Sequence, residues 1–258
     1  MPFAPFFNIG LAVFLLSTFL SLAGILSRRK ILRTIATVLL FAGTASLTAG
    51  FILLGLAAGR IPFANTYETL MLFTWLSSVF FLFLIPRDGQ GYLRLLFAFL
   101  LSLALAASSL IDAHPQPLVP ALKSNWLFFH VLLCFVAYAA FFISFIAGLL
   151  FLIGGEKIRM DLDKLSYKNI LFGFPFLTAG IISGSIWAKQ AWGTYWNWDP
   201  KETWSLVLWL IYLIYLHLRT GRGWKGKGPA WISVLGFAAV LFTYFGVNYL
   251  LPSLHSYR

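Results

Sequence analysis

One cysteine in 258 residues leaves this chain no partner for an internal disulfide or a thiolate metal cluster. That residue, Cys134, lies inside an apolar run and reads as a small buried hydrophobe. Charge is equally scarce. Only 10% of the residues are charged, against about 25% in soluble domains, so an ordinary soluble domain is excluded. Strict polar–apolar alternation is also missing, which excludes a membrane β-barrel. Internal repeats, low-complexity tracts and a large hydrophilic domain are absent as well, so function must reside in helices and short connections.

What fills the chain is apolar, at 60% hydrophobic residues. Blocks of about 20 apolar residues are long enough to cross the bilayer as helices. Eight such blocks are expected, at 6–27, 34–58, 67–86, 93–111, 125–154, 168–188, 203–219 and 229–251. The predicted fold is therefore all-α: one polytopic membrane bundle spanning 1–258. The net charge of +11 reads as topology rather than nucleic-acid binding. Arg28, Arg29, Lys30 and Arg33 follow the first span, Arg87 and Arg94 the third, Lys157, Arg159, Lys164 and Lys168 the fifth, and Arg219, Arg222, Lys225 and Lys227 the seventh. The opposite side holds only Arg60, Lys123, Lys189, Lys201 and Arg258. Because basic loops stay in the cytoplasm, both termini are expected outside. The first block lacks a basic lead-in and is read as a retained span rather than a signal peptide.

Four histidines carry most of the metal-binding potential. His130, in "KSNWLFFHVLLCF", is expected near the outer end of the fifth span, and His255, in "NYLLPSLHSYR", just beyond the eighth. They should share a depth, and two such imidazoles could clamp a haem iron from opposite faces; polar interface caps are the alternative. His217 is expected at the inner end of the seventh span, too far in depth to join them. It is either an interface residue or half of an inner site completed by another protein. His114, between prolines in "DAHPQPLVP", reads as an exposed loop residue.

Between the sixth and seventh spans lies "WGTYWNWDPKETWSL", part of an outer stretch at about 187–206. Interfacial aromatic belts account for one or two rings per helix end. They account less well for Trp187, Trp192, Tyr195, Trp196, Trp198 and Trp204 together, beside Asn197, Asp199, Lys201 and Glu202. A flat apolar ligand with acidic edges would use both sets: rings for stacking, and cations such as Lys201 and Lys123 for carboxylates. "DPKE" also reads as a helix start, with Asp199 as cap, Pro200 at the first position and Glu202 three residues after the cap. Glu68, in "IPFANTYETLMLFTW", is either a first-turn carboxylate favoured by the helix dipole or the partner of an outer cation.

The tryptophan-rich stretch resembles the WWD signature of the haem-handling proteins of cytochrome c maturation, in particular the CcsA/ResC type of system II. "PFANTYETLMLFTW", "PLVPALKSNWLFFHV", "YLHLRTGRGWKGKGPAW" and "FGVNYLLPSLHSY" resemble that family in the same order. The resemblance covers most of the chain from about residue 60. It implies haem b held on the outer side by His130 and His255, with Trp192, Tyr195, Trp196, Trp198, Asp199, Lys201 and Trp204 in the haem-contacting loop. It implies an inner haem site at His217, completed by a CcsB/ResB-type membrane partner. The thiols of a Cys-x-x-Cys-His motif in apocytochrome c would then add to the haem vinyl groups, making the chain one subunit of a cytochrome c synthase. No separate catalytic acid or base is expected. A bacterial plasma membrane is the implied location, with a thylakoid as the alternative. Before the last histidine the family usually has glycines; "NYLLPSLHSYR" does not. Competing readings are a system I type transporter passing haem to a carrier chaperone, a haem-containing electron-transfer subunit, and a transporter with an aromatic belt.

Overall fold

The computed structural model describes residues 1–84, 91–115, 117–154 and 156–252, the side chains of 84 and 156–160 excepted. The described residues form helices and no strands. Eight helices are long and apolar enough to cross a membrane. They are α1 (Ala4–Leu26), α2 (Lys30–Ala58), α3 (Thr66–Leu84), α4 (Gly91–Ser108), α5 (Asn125–Ile153), α6 (Glu156–Trp192), α7 (Pro200–Arg222) and α8 (Lys227–Leu250). The expected spans are all present. They fall into two compact units, Met1–Pro117 and Leu118–Arg258.

In the first unit α1 packs on α2 and α4, and α3 on α2 and α4. Lipid provides little hydrophobic drive between helices, so close backbone approach must hold them together. Phenylalanines set on glycines provide it: a Cβ on Gly43 would meet the Phe14 ring at 3.1 Å, and one on Gly50 the Phe7 ring at 3.0 Å. The connection into α3 is held by Glu68, which is 1% exposed. Arg60 donates to both its carboxylate oxygens, at 2.7 and 2.8 Å, and the Ala64 amide adds a third bond at 2.8 Å. Glu68 fills both roles: it lies in the first turn of α3 and pairs with a cation, Arg60.

In the second unit α5 is the central helix. It packs on α6 and α8, while α7 packs on both α6 and α8. The Ser124 hydroxyl caps α5 by accepting from the Trp126 amide. The largest departure from expectation is α6, which runs 37 residues. The basic segment expected as a loop, with Lys164 and Lys168, is helical. Its charges lower the hydropathy but not the helix propensity, and Asp163 there pairs with Arg219 near the end of α7. Likewise the stretch at 187–206 is mostly helix ends, with only 193–199 lying between α6 and α7. Pro175 lies within α6 without ending it. Near its own end α8 opens into a π-helical turn, Phe242–Gly246. Such turns shift the register of the residues beyond them and recur at functional sites.

Candidate functional site

The start of α5, the end of α6, the start of α7 and the end of α8 meet at one end of the second unit. His130 sits in the second turn of α5, half-buried. Two glycines of α6, in "GIISG", make room for it. A Cβ on Gly184 would come within 2.4 Å of His130 Nδ1, and one on Gly180 within 2.6 Å of Cys134 Sγ. This approach lets His130 Nδ1 donate to the Gly180 carbonyl at 2.7 Å. A carbonyl only accepts, so Nδ1 carries a proton, and in the neutral ring the lone pair is then on Nε2. That is the tautomer that binds metals through Nε2, oriented by a backbone acceptor behind it. The Trp187 ring lies nearly parallel to the imidazole, 15° between planes and 6.2 Å between centroids. Trp187 is itself fixed, donating from Nε1 to the Ala121 carbonyl at 2.8 Å and meeting Trp192 edge-on at 4.8 Å.

The connection from α6 to α7 is built around one carboxylate. Glu202 Oε2 accepts from the Asn197 amide at 2.7 Å and the Asp199 amide at 3.2 Å. Asp199 in turn caps α7, completing a capping box. The two amides bonded to Glu202 flank Trp198, whose φ is 58°. Left-handed backbone costs a residue with a Cβ about 1–2 kcal/mol. The Glu202 bonds hold it there. Consequently Trp198 stands 67% exposed on a pinned backbone, and Tyr195 is 57% exposed. Trp196 packs edge-on to Trp198 at 5.8 Å, and Lys189 donates to the Gly193 carbonyl at 2.7 Å while lying over the Tyr195 ring. Large rings held outward on a braced connection have the chemistry to stack on a flat apolar partner.

Lys201 points inward, donating to Asn248 at 2.8 Å and lying within electrostatic reach of Cys134. Trp204 packs on Phe242 of the π-helical turn, and Tyr244 of that turn meets Phe135 of α5. Lys123 is exposed beside the short 3-10 helix Pro120–Leu122. His217 is exposed in the penultimate turn of α7, on a line with exposed Leu210 and Ile214, and the rise of α7 carries it away from the end where His130 lies. His255 lies outside the described residues. His114, in the first unit, is an exposed loop residue; its backbone N–H and ring hold the Asp112 carboxyl below the usual carboxylate range. Thus the structure gathers His130, the aromatic rings, Asp199 and Lys201 at one end of the second unit and leaves His217 at the other. Sequence reasoning missed Gly180, Gly184 and Asn248. The two glycines did carry a signal, a G-x-x-x-G spacing in an apolar run.

Comparisons with known proteins identify the family. The family model described as cytochrome C assembly protein matches residues 63–255. The cytochrome c biogenesis protein CcsA of Chlamydomonas reinhardtii is 44% identical over 218 residues, covering 78% of this chain and 62% of that protein. CcsA of Guillardia theta is 38% identical, covering 78% of this chain and 77% of its own, and CcsA of Prochlorococcus marinus strain NATL1A is 36% identical over 99% of this chain and 95% of its own. Among solved structures, a cytochrome c heme lyase CcmF shares the fold with a TM-score of 0.76 at 20% identity, over 98% of this chain and 47% of that one. An integral membrane protein with these relatives belongs to the cytochrome C assembly family and, within it, to the CcsA-type cytochrome c biogenesis proteins.

Proposed function

We propose that the chain's part in cytochrome c maturation is to hold haem b at the aromatic end of the second unit and present it for covalent attachment to apocytochrome c. One observation carries this reading: His130 is fixed by the Gly180 carbonyl in the tautomer that ligates iron through Nε2. His255 is the second axial ligand in this account, on the strength of the family resemblance. Trp192, Tyr195, Trp196, Trp198 and Trp204 provide stacking area, and Asp199 braces their connection. Lys123 is the exposed cation available to a propionate. Lys201 is committed to Asn248 and acts on the site by holding the start of α7 against the end of α8.

Haem brings the vinyl groups across which each apocytochrome thiol adds its S–H. The chain's contribution is orientation and exclusion of water from one face. His217, exposed toward whatever flanks α7, serves an inner site completed by a CcsB/ResB-type partner. The aromatic end faces the periplasm or a thylakoid lumen. The test is accumulation of covalent c-type cytochromes in cells lacking the native gene. His130→Gly abolishes it while the protein still reaches the membrane. Normal cytochrome levels in that variant would overturn the proposal.

A further inference from the structure

We propose that the first unit carries a site for the phosphate headgroup of an acidic phospholipid, formed by Arg33 and Arg94 where α1 ends and α2 and α4 begin. Two bonds set the register of α1 against α2 there. The Ser17 hydroxyl donates to the Ala36 carbonyl at 2.9 Å, and Arg33 Nε donates to the Gly24 carbonyl at 2.9 Å. Arg94, in the first turn of α4, reaches across to the Thr37 hydroxyl. It lies within electrostatic reach of Arg33. Two guanidinium groups thus converge between helices, and neither has an ion pair among the described residues.

Two polar atoms at this place are buried without a hydrogen-bond partner among the described residues: Arg94 Nε and Ser21 Oγ. Ser21 falls between the two register-setting bonds and is fully buried. Converging like charges and orphaned donors are costly in a low-dielectric setting unless an anion joins them. Phosphate suits the set: it accepts several bonds at once, from the planar forks of arginine and from hydroxyls. The surroundings select a lipid over a free ion. Leu22, Leu26, Ile31, Ile35 and Val38 are exposed around the same end and offer apolar cover for acyl chains. Arg28 and Arg29, exposed in the adjoining connection, and exposed Lys30 at the start of α2 add attraction to an acidic membrane surface.

The experiment uses the full chain purified in mild detergent, stripped of lipid and titrated with phosphatidylglycerol. Binding is followed by native mass spectrometry and by the melting temperature. Wild type retains phosphatidylglycerol and melts higher with it. Arg94→Gln and Arg33→Gln each lower retention about fivefold or more, as expected for losing a basic contact near an anionic headgroup. Arg28→Gln, in the exposed connection, changes it less, and Arg94→Lys, which keeps the charge, serves if the glutamine variant fails to fold. Equal retention in wild type and both glutamine variants would overturn the proposal. So would an equal effect of phosphatidylcholine, which marks apolar adhesion, or of inorganic phosphate alone, which marks a site indifferent to lipid.

Discussion

His130 shows how much a single side chain depends on the backbone behind it. Its position near the end of a span is legible in the sequence, and so is the capacity of imidazole to bind iron. What selects the tautomer is the carbonyl of Gly180, fifty residues away, reached only because Gly180 and Gly184 have no side chains. The glycine spacing announces a close approach, but nothing local says which helix approaches. Gly184→Ala should push the imidazole off its acceptor and weaken haem binding by about tenfold or more, an overpacking cost of roughly 1–3 kcal/mol. Haem titration of the purified variant checks this. Gly180→Ala should be relieved by Cys134→Ala, because the Sγ at 2.6 Å is the atom its Cβ would strike. Thermal melting of the double variant measures the relief, and no recovery would show that the contact does not control the site.

Helix ends carry the site. "DPKE" is legible as a capping box, because its residue types and spacing are local chemistry. The use of Glu202 to pin both peptides around Trp198 is not, since it depends on the path of the chain between α6 and α7. Glu202→Ala should cost about 0.5–2 kcal/mol through the lost cap and release the strained turn. Hydrogen exchange at the Asn197 and Asp199 amides should quicken while that in α5 is unchanged. At the other end of the unit, Arg219 bridges α7 to α6, with its ion pair to Asp163 nearly buried: side-chain exposures are 7% and 11%. Arg219 also lies over Tyr167 and donates to the Trp224 carbonyl. Asp163→Ala should destabilise by about 3–5 kcal/mol, because the remaining guanidinium loses its counter-charge. The basic patch at the start of α6 reads as loop in the sequence because charge interrupts a hydropathy run, although the same residues support a helix.

At the scale of the whole molecule the eight spans arise from apolar block length, which is why composition alone reveals them. Orientation is a separate matter and rests on the distribution of basic residues. The scarcity of cysteine makes it directly measurable, since Cys134 is buried. Thr194→Cys, on the exposed connection between α6 and α7, should react with a membrane-impermeant maleimide in intact cells. Labelling only after the membrane is opened would reverse the assigned sides. The central claim, that this end of the chain holds haem through His130, is tested most directly by the visible spectrum of the protein purified with the proposed CcsB/ResB-type partner. Wild type should show six-coordinate low-spin haem, and His130→Gly and His255→Gly should each lose that signature and regain it with added imidazole. A low-spin spectrum unchanged in both variants would contradict the account.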